Sequence, residues 1–449
     1  MDKLIKRLNN LPYKHFYPVS TNSIKTLSKK KGCAEVILDH AKRTRPLLYR
    51  NLKPCVTAFI NLMKNEPIYK AVYAGDFKGG QFVDRCLKKR PLAFFKSNDH
   101  CMLKDGSEHR NSFTQIGTKG EKQPFALRNL ISYDEMAFSA FLMVSTPTFF
   151  INSGSRNNSA VPGNPNSFER EGVYVACIGA RLKKPGVVEW KHMIVTKEQN
   201  TPNNGYGAFA DQNSIKTKIL NVWARFYDMP NDRFFSYDEI YESKAMKARF
   251  VPFKLGFSKA VAYFDKIVYR QRMRAVLEPF LLEADCRGRE AGKKAFCHVV
   301  GLGMGMWKPE GLPNEIQPTI YVDLAVDLLK ELNLTHVANV DFSWIENYQG
   351  SVRHNQVVRT AAGANCKVSF SKRDPAAKLR GENEGKLLVA MYAWDGNSYP
   401  GNEYWTATKK KNRIRGSGDS AAAACSTISE LQNPDVNLNV CGRNTVFYP

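Results

Sequence analysis

Several signals that define common protein classes are missing from this chain of 449 residues. None of its ten cysteines forms a CxxC pair, and its eight histidines show no HExxH spacing, so we expect no metal centre. The longest apolar run, residues 136–144, is far too short to span a bilayer, and no membrane association is expected. The N-terminus lacks the apolar core of a secretory signal, which predicts a protein that starts in a cytosol.

Charge is the one extreme of the composition, with 66 Lys and Arg against 42 Asp and Glu, a formal net charge of +24. Such a field favours anionic partners. The cations are spread in short runs along the whole chain (residues 29–31, 88–90, 293–294 and 409–411), without an RNP, zinc-finger or helix-turn-helix pattern. We therefore interpret them as a solvated surface, and the cysteines as reduced, mostly buried thiols.

The pattern of elements predicts an α/β protein with a mainly parallel sheet. A basic, mainly helical region covers residues 1–130, and the region 131–449 follows it. Ser132 and Glu135 form a capping box that starts a helix ending near Ser145. Further predicted elements are a hairpin (172–179 and 187–195), helices (215–226, 257–289, 318–332 and 418–431) and strands (296–300, 335–344 and 386–394).

A glycine-rich turn follows the apolar strand 296–300 and precedes the helix that starts near Pro318. Its glycines are Gly301, Gly303 and Gly305, followed by Met306 and Trp307. Glycines allow positive φ and remove Cβ atoms, so that successive N–H groups can converge on a phosphate. The spacing matches neither the Walker motif nor the dinucleotide fingerprint, and a plain tight turn is the alternative.

A second loop, residues 395–405, is dense in acids, amides and aromatic residues. It follows the buried strand 386–394, and ligands of parallel sheets bind where strands end. A surface Asx turn with aromatic residues packed beneath it is the alternative. In this loop we select Asp395 and Glu403 as catalytic candidates. The ligand-binding candidates are Asn397, Ser398, Asn402 and Trp405.

Two further carboxylates are candidates for catalysis. Asp323 lies in the first turns of the predicted helix 318–332, and Asp341 lies near the end of the strand 335–344. A pair of carboxylates can stabilise an oxocarbenium-like centre and activate water. Asp323 could equally belong to one solvated acidic face with Asp327 and Glu331, and Asp341 could cap a strand end.

Two polar segments complete the candidates. Ser417 and Asp419 begin the last helix, where free N–H groups could hold an anion, although an ordinary N-cap is the simpler interpretation. Asn152 and Arg156 lie in the loop after Phe149, where Arg156 could clamp an anion. As members of an ordinary polar loop, they need no special role.

Several blocks together resemble a known family, the macrodomain-type ADP-ribosyl hydrolases related to the Legionella effector MavL. The blocks span roughly residues 130–440. They are residues 146–157, 179–181, 298–307, 394–398, 401–405, 417–423 and 432–434.

The resemblance implies a macrodomain-like three-layer α/β core and removal of ADP-ribose from a modified protein, without a cofactor. It implies arginine-linked ADP-ribosyl-ubiquitin as substrate, a host ubiquitin-pathway enzyme as partner, and delivery of a bacterial effector from the bacterial cytoplasm into a host cytoplasm. It also implies that Asp323 and Asp341 are the acids of the site and that Gly301, Gly303 and Gly305 form the diphosphate loop. The usual Asn-Ala-Asn run and poly-Gly loop are absent, and Asp395-Gly-Asn-Ser stands in their place.

Two other functions stay open from the sequence. One is a module that binds ADP-ribose or a related nucleotide without hydrolysing it. The other is a basic nucleic-acid-associated protein, which the lack of a basic stripe near the aromatic loops disfavours.

Overall fold

A computed structural model describes residues 1–13, 20–95, 98–256, 260–406 and 418–449. Its strands are β1 (Arg45–Tyr49), β2 (Ala93–Phe95), β3 (His100–Met102), β4 (Glu108–His109), β5 (Met143–Phe149), β6 (Glu171–Ile178), β7 (Ile194–Val195), β8 (Phe250–Lys254), β9 (Val261–Asp265), β10 (Ala295–Val300), β11 (Val337–Ser343), β12 (Gln356–Arg359), β13 (Asn365–Ser371), β14 (Leu387–Trp394) and β15 (Val446–Tyr448).

The helices of the described residues surround these strands. They are α1 (Asp2–Asn9), α2 (Ile24–Leu27), α3 (Cys33–Arg43), α4 (Leu52–Met63), α5 (Pro67–Lys70), α6 (Gly79–Lys88), α7 (Tyr133–Ser139), α8 (Trp190–Met193), α9 (Ile215–Phe226), α10 (Tyr237–Glu242), α11 (Lys266–Glu290), α12 (Ile316–Glu331), α13 (Glu403–Thr406), α14 (Gly418–Cys425) and α15 (Ile428–Leu431). None of the helices described is both long and apolar enough to cross a membrane.

One large sheet organises the molecule, with the strand order β12-β13-β11-β10-β14-β6-β5-β1-β15. The five strands from β13 to β6 run parallel, and β12 and β5 flank them as antiparallel neighbours. The central strands β10 and β14 are buried, mainly apolar runs, as expected for strands covered on both faces. The α/β class and the mainly parallel sheet are therefore confirmed.

Helices cover both faces of this sheet. Helices α11 and α12 cover one face, which we call the helical face. There Arg287 of α11 contacts Ser145 of β5, and the Tyr321 hydroxyl of α12 donates to the Val300 carbonyl at 3.0 Å. On the opposite face, Cys425 of α14 contacts the Tyr174 hydroxyl of β6 at 3.3 Å. The two faces therefore carry different side chains, and the strand register assigns each residue to one of them.

The N-terminal region is built into this sheet. β1 lies between β5 and β15, and its Leu47 is fully buried. Aromatic rings of α4 and α6 also pack against Phe138 of α7. The two regions that the sequence analysis separates at residue 130 thus share one sheet and one core.

Three sequence expectations for single elements are wrong. The capping box at Ser132 is present, but α7 ends at Ser139 and β5 begins at Met143, because residues 143–149 pair with β6. Strand β9 occupies 261–265, so α11 begins only at Lys266, and residues 257–259 lie outside the described part. The expected helix 418–431 is two helices, α14 and α15.

The expected hairpin is also absent. β6 pairs with β5 and β14, whereas residues 190–195 form α8 and β7. The cause is a buried ion pair: the Arg272 Nε of α11 donates to the Glu189 carboxylate at 2.9 Å. This contact holds the segment after β6 against α11, while β5 and β14 occupy both sides of β6.

Candidate functional site

The loops that follow the parallel strands leave the sheet at one edge, which we call the carboxyl edge. β6, β10, β11 and β14 all end there, because they are parallel and in register. The glycine loop (residues 301–307) follows β10, and the Asp395 loop (residues 395–402) follows the neighbouring strand β14. Sequence and structure therefore agree in bringing these two segments to the same edge.

The glycine loop is fixed at its start and open at its end. Gly303 has φ +71°, and a Cβ there would lie 2.6 Å from the Ala180 carbonyl oxygen. A Cβ on Gly179 would overlap the backbone of Gly303 in turn. By contrast, a Cβ on Gly305 would meet nothing within 4 Å, and Met306 is 76% exposed. Backbone N–H groups at this open end are accessible to an anion.

The glycine loop has two further fixed points. Gly301 is half-buried beside the Met304 sulfur and Ile345. The Leu182 amide donates to the Trp307 carbonyl at 2.9 Å, which ties the end of the loop to the segment after β6.

Asp395 is buried and organises its own loop. Its Oδ1 accepts from the amides of Asn397 and Ser398 at 2.8 and 2.9 Å, and its Oδ2 accepts from the Ser398 hydroxyl at 2.8 Å. Burial raises the pKa of Asp395, and the hydrogen bonds from the loop oppose that rise. The geometry is that of an Asx turn, but a buried one, whereas the alternative in the sequence analysis is a turn at the surface.

A buried cation that the sequence analysis passed over supports this loop. Arg90 donates Nε to the Cys86 carbonyl at 2.6 Å and Nη1 to the Ser398 carbonyl at 3.2 Å, and its guanidinium lies 4.7 Å from the Trp394 ring. Burial lowers the pKa of Arg90 to about 10. Nη2 of Arg90 and Oδ1 of Asn397 are buried without a partner among the described residues. Arg90 ends the run 88–90, which the sequence pattern could not distinguish from surface charge.

A second buried cluster lies where β6 ends. Asp99 is fully buried and accepts hydrogen bonds from Arg181, Lys184 and the Tyr133 hydroxyl. The Arg181 guanidinium lies 4.7 Å from the Phe94 ring, and its Nη1 has no partner within the described ranges. Two cations against one carboxylate leave this part of the carboxyl edge positive, which suits an anionic ligand.

Asp323 lies on the helical face, half-buried. Its Oδ1 accepts from the Tyr348 hydroxyl at 2.7 Å, and burial together with this carboxylate raises the pKa of Tyr348 to about 12. Tyr348 belongs to the loop after β11, whose Ile345 also packs near Gly301. This loop connects Asp323 with the glycine loop.

The other acids on this face of α12 behave as an ordinary acidic surface. Asp327 pairs with Arg270 at 2.9 Å, and Glu331 pairs with Arg274 at 2.7 Å. Asp323 differs from both of them, because its partner is a tyrosine from a strand-end loop.

Asp341 points to the opposite face of the sheet. It is in register with His298 of β10, and its carboxylate accepts from the hydroxyls of Ser343, Ser369 and Ser371 at 2.7–2.9 Å. Strand β11 therefore lies between Asp341 and α12, which carries Asp323. The structure does not bring these two acids together as a pair.

The remaining candidates of the second loop are packed side chains. Asn402 accepts from the Phe94 amide at 2.8 Å, and the fully buried Trp405 donates to the Pro400 carbonyl at 2.8 Å. Glu403 accepts from the Ser420 hydroxyl. Asp419 is buried at the start of α14, and its Oδ1 accepts from the Ser420 amide at 3.0 Å. Ser417 lies outside the described residues.

Asn152 and Arg156 lie away from the carboxyl edge. Phe149 pairs with Glu171, the first residue of β6, so the loop after β5 emerges at the opposite edge. Asn152 stabilises that loop through the Val161 carbonyl and the Gly154 amide, each at 2.9 Å, and Arg156 is exposed. These two residues do not join the glycine loop.

Comparisons with known proteins define the class. The ADP-ribosylarginine hydrolase CG3568 of Drosophila melanogaster is 37% identical over 381 residues, which cover 82% of this chain and 70% of that protein. The ADP-ribosylarginine hydrolase CG2909 of the same fly is 34% identical over 370 residues, covering 80% and 69%. The chain is therefore an ADP-ribosyl hydrolase, a glycohydrolase. A family model described as ADP-ribosylhydrolase MavL-like matches residues 2–447, and the chain belongs to this family.

Proposed function

We propose that this enzyme releases ADP-ribose from arginine side chains of modified proteins, and that its sheet is the core of a macrodomain-like fold. The names of both fly relatives support the arginine linkage. Ubiquitin carrying ADP-ribose on an arginine is the proposed protein substrate, on the strength of the sequence resemblance.

The observation that carries the proposal is the meeting of two strand-end loops. The glycine loop and the Asp395 loop leave neighbouring parallel strands at the carboxyl edge, where α/β proteins bind their ligands. Open N–H groups near Gly305 would bind the diphosphate, and the positive edge around Arg181 and Arg90 would favour its charge.

Asp323 is the acid that we assign to the reacting water. It is half-buried, and it contacts the loop after β11 through Tyr348. Ile345 of the same loop packs near Gly301 of the glycine loop. The carboxylate would take a proton from water as the water oxygen bonds to the anomeric carbon of the distal ribose. The bond from that carbon to the guanidine nitrogen breaks, and the proton passes to the leaving guanidine. Asp341 and Asp395 each accept hydrogen bonds on both carboxylate oxygens, whereas within the described ranges Asp323 accepts on Oδ1, and so the first two would hold strand ends and the loop in place.

Asp323→Asn tests this assignment. We expect ADP-ribose release from an ADP-ribosyl-arginine peptide to fall by about 100-fold or more, because general-base catalysis contributes roughly 10²–10⁴. Asp327→Asn is the matched control, since it changes the same residue type one turn further along the same helix. Turnover of Asp323→Asn within a few-fold of the wild type would exclude Asp323 as the base.

The protein substrate is tested separately. ADP-ribosylated ubiquitin and a short ADP-ribosyl-arginine peptide are compared as substrates at equal concentration. A higher kcat/KM for modified ubiquitin supports the ubiquitin proposal, and equal values count against it.

A further inference from the structure

A cavity of about 320 Å³ opens on the face of the sheet opposite to Asp323. Its floor consists of side chains from β10, β11 and β13, and its wall is the segment 373–383, which crosses that face. The floor residues are Phe296, Asn339, Asp341, Ser369 and Ser371. Strand β11 and its neighbours separate this cavity from Asp323 and its tyrosine partner.

The lining of the cavity is rich in cations. Lys367, Lys378, Arg380 and Arg373 face it, against the carboxylates of Asp341 and Glu382, with His354 at the rim. Lys367 pairs with Glu382 at 2.6 Å, Lys378 pairs with Glu169 at 3.2 Å, and Arg380 donates to the Asn166 carbonyl at 2.9 Å. A net positive cavity is a site for an anion.

Arg373 is a cation of the lining whose hydrogen-bonding capacity is little used. Its guanidinium lies 4.7 Å from the Phe296 ring, and Nη2 donates to the Ala377 carbonyl. A guanidinium has five donors, and across the described ranges this is the one hydrogen bond that the Arg373 guanidinium donates; the Arg373 amide donates separately to the Ser371 hydroxyl at 3.2 Å. A phosphate could accept from the remaining donors in the two-pronged geometry that arginine favours.

The floor beside Arg373 offers groups that match sugar hydroxyls. Ser369 and Ser371 donate to Asp341 at 2.7 Å. The Ser371 oxygen also accepts from the Arg373 amide at 3.2 Å, whereas the Ser369 oxygen keeps its acceptor capacity within the described ranges.

We propose that this cavity is a second ligand site, which binds a small phosphate-bearing sugar of the ribose phosphate class. The phosphate lies on Arg373, and the sugar hydroxyls lie along Ser369, Ser371 and Asp341. A volume of about 320 Å³ is at the lower end for ligand sites, which suits a single sugar phosphate. This proposal is independent of the function assigned to the carboxyl edge.

Titration calorimetry of the full chain tests the proposal, with ribose 5-phosphate, inorganic phosphate and ribose as separate ligands. We expect ribose 5-phosphate to bind most tightly, phosphate more weakly, and ribose weakest. Arg373→Met should weaken binding of ribose 5-phosphate at least tenfold, and Arg373→Lys should weaken it less. Lys372→Met is the matched control, because Lys372 is the neighbouring cation but is exposed and pairs with Glu346.

Hydrolysis of the ADP-ribosyl-arginine peptide by the same variants separates the two sites. The proposal expects Arg373→Met to keep turnover at saturating peptide. Three results would overturn it: no binding of ribose 5-phosphate to the wild type, equal binding to Arg373→Met and the wild type, or competitive inhibition of hydrolysis by ribose 5-phosphate. Should Arg373→Met fail to fold, Arg373→Lys and Ser369→Ala provide the same comparison of affinities.

Discussion

At the scale of single residues, the carboxyl edge depends on two glycine backbones in direct contact. Gly179 follows β6, and Gly303 lies in the glycine loop. A Cβ on Gly179 would overlap the Gly303 backbone, and a Cβ on Gly303 would lie 2.6 Å from the carbonyl oxygen of Ala180, the neighbour of Gly179. The sequence motif indicated the importance of Gly303. The role of Gly179 follows only from the packing of two loops that are more than a hundred residues apart in the chain.

Gly179→Ala is therefore expected to destabilise the protein and displace the glycine loop. The new methyl group would overlap backbone atoms of Leu302 and Gly303, and overpacking of this kind costs about 1–3 kcal/mol. Chemical denaturation and ADP-ribose affinity measure the two effects. Gly80→Ala is the control, because a Cβ there meets nothing within 4 Å, and it should cost no stability. An unchanged unfolding free energy for Gly179→Ala would contradict the close contact.

At the scale of elements, helix α11 holds the segment after β6 in place. Arg272 is fully buried, donates to the Glu189 carboxylate, and also donates Nη2 to the Ala140 carbonyl at 2.8 Å. Glu189 in turn accepts from the Arg181 amide at 3.2 Å. One ion pair thereby positions the segment that contacts the glycine loop.

Arg272→Met should cost roughly 3–5 kcal/mol of unfolding free energy, because it leaves the Glu189 carboxylate buried without its charge partner. The double variant Arg272→Met/Glu189→Met should be less destabilised than Arg272→Met alone, since no uncompensated charge remains. Lys372→Met, which breaks an exposed pair with Glu346, should cost less than about 1 kcal/mol. The unfolding free energies of Arg272→Met, Glu189→Met and the double variant are measured by urea denaturation. Additive losses of the two single variants would show that Arg272 and Glu189 are not coupled.

The predicted helices and strands are confirmed where the residues are uniformly buried. They are wrong where a partner distant in the sequence decides the local conformation. The strands at 296–300 and 386–394 and the helix at 318–332 are present as β10, β14 and α12, because continuous apolar runs and a 3.6-residue period are local signals. The hairpin failed because Glu189 has its partner on α11. Strands β1 and β15 were missed, since they are short and become strands by pairing with each other and with β5.

At the scale of the whole molecule, buried histidines couple stability to pH. Burial lowers the pKa of His40 to about 4 and that of His298 to about 3, and it also lowers the pKa of His192. The unfolded chain therefore binds more protons than the folded protein below pH about 6.5. Stability is fully present above that pH and is lost as the pH falls toward 4.

We expect the free energy of unfolding to fall by about 1.4 kcal/mol per pH unit for each such histidine between pH about 6.5 and 4. Burial raises the pKa of Asp395 and Glu278, and these acids reduce the net slope. His298→Gln should reduce this slope by the contribution of one histidine, about 1.4 kcal/mol per pH unit. The control is His354→Gln, because His354 is exposed. Urea denaturation at several pH values measures both, and equal slopes for His298→Gln and the wild type would contradict this account.

The whole molecule also explains which site candidates were predictable. Gly303, Asp395 and Asn397 follow apolar strands, and parallel strands bring their ends to one edge, so the pattern alone predicted their position at that edge. Arg90 and Asp99 belong to the N-terminal region, and no local signal distinguishes a buried cation from a solvated one. The roles of the individual acids, the ubiquitin substrate, the host partner and the site of action in a host cell stay predictions.

The sequence by itself determined the α/β class, the parallel strands and the family, because apolar periodicity, glycine spacing and shared motifs are properties of short segments. The tertiary structure alone decided that Asp323 and Asp341 face opposite sides of the sheet and that Arg90 and Arg181 lie buried at its carboxyl edge. Side chains alternate between the two faces of a strand, so Phe342 of β11 faces α12 on the helical face, whereas its neighbour Asp341 faces the other side. Such separation depends on which strands become neighbours, and that is a long-range property of the folded chain.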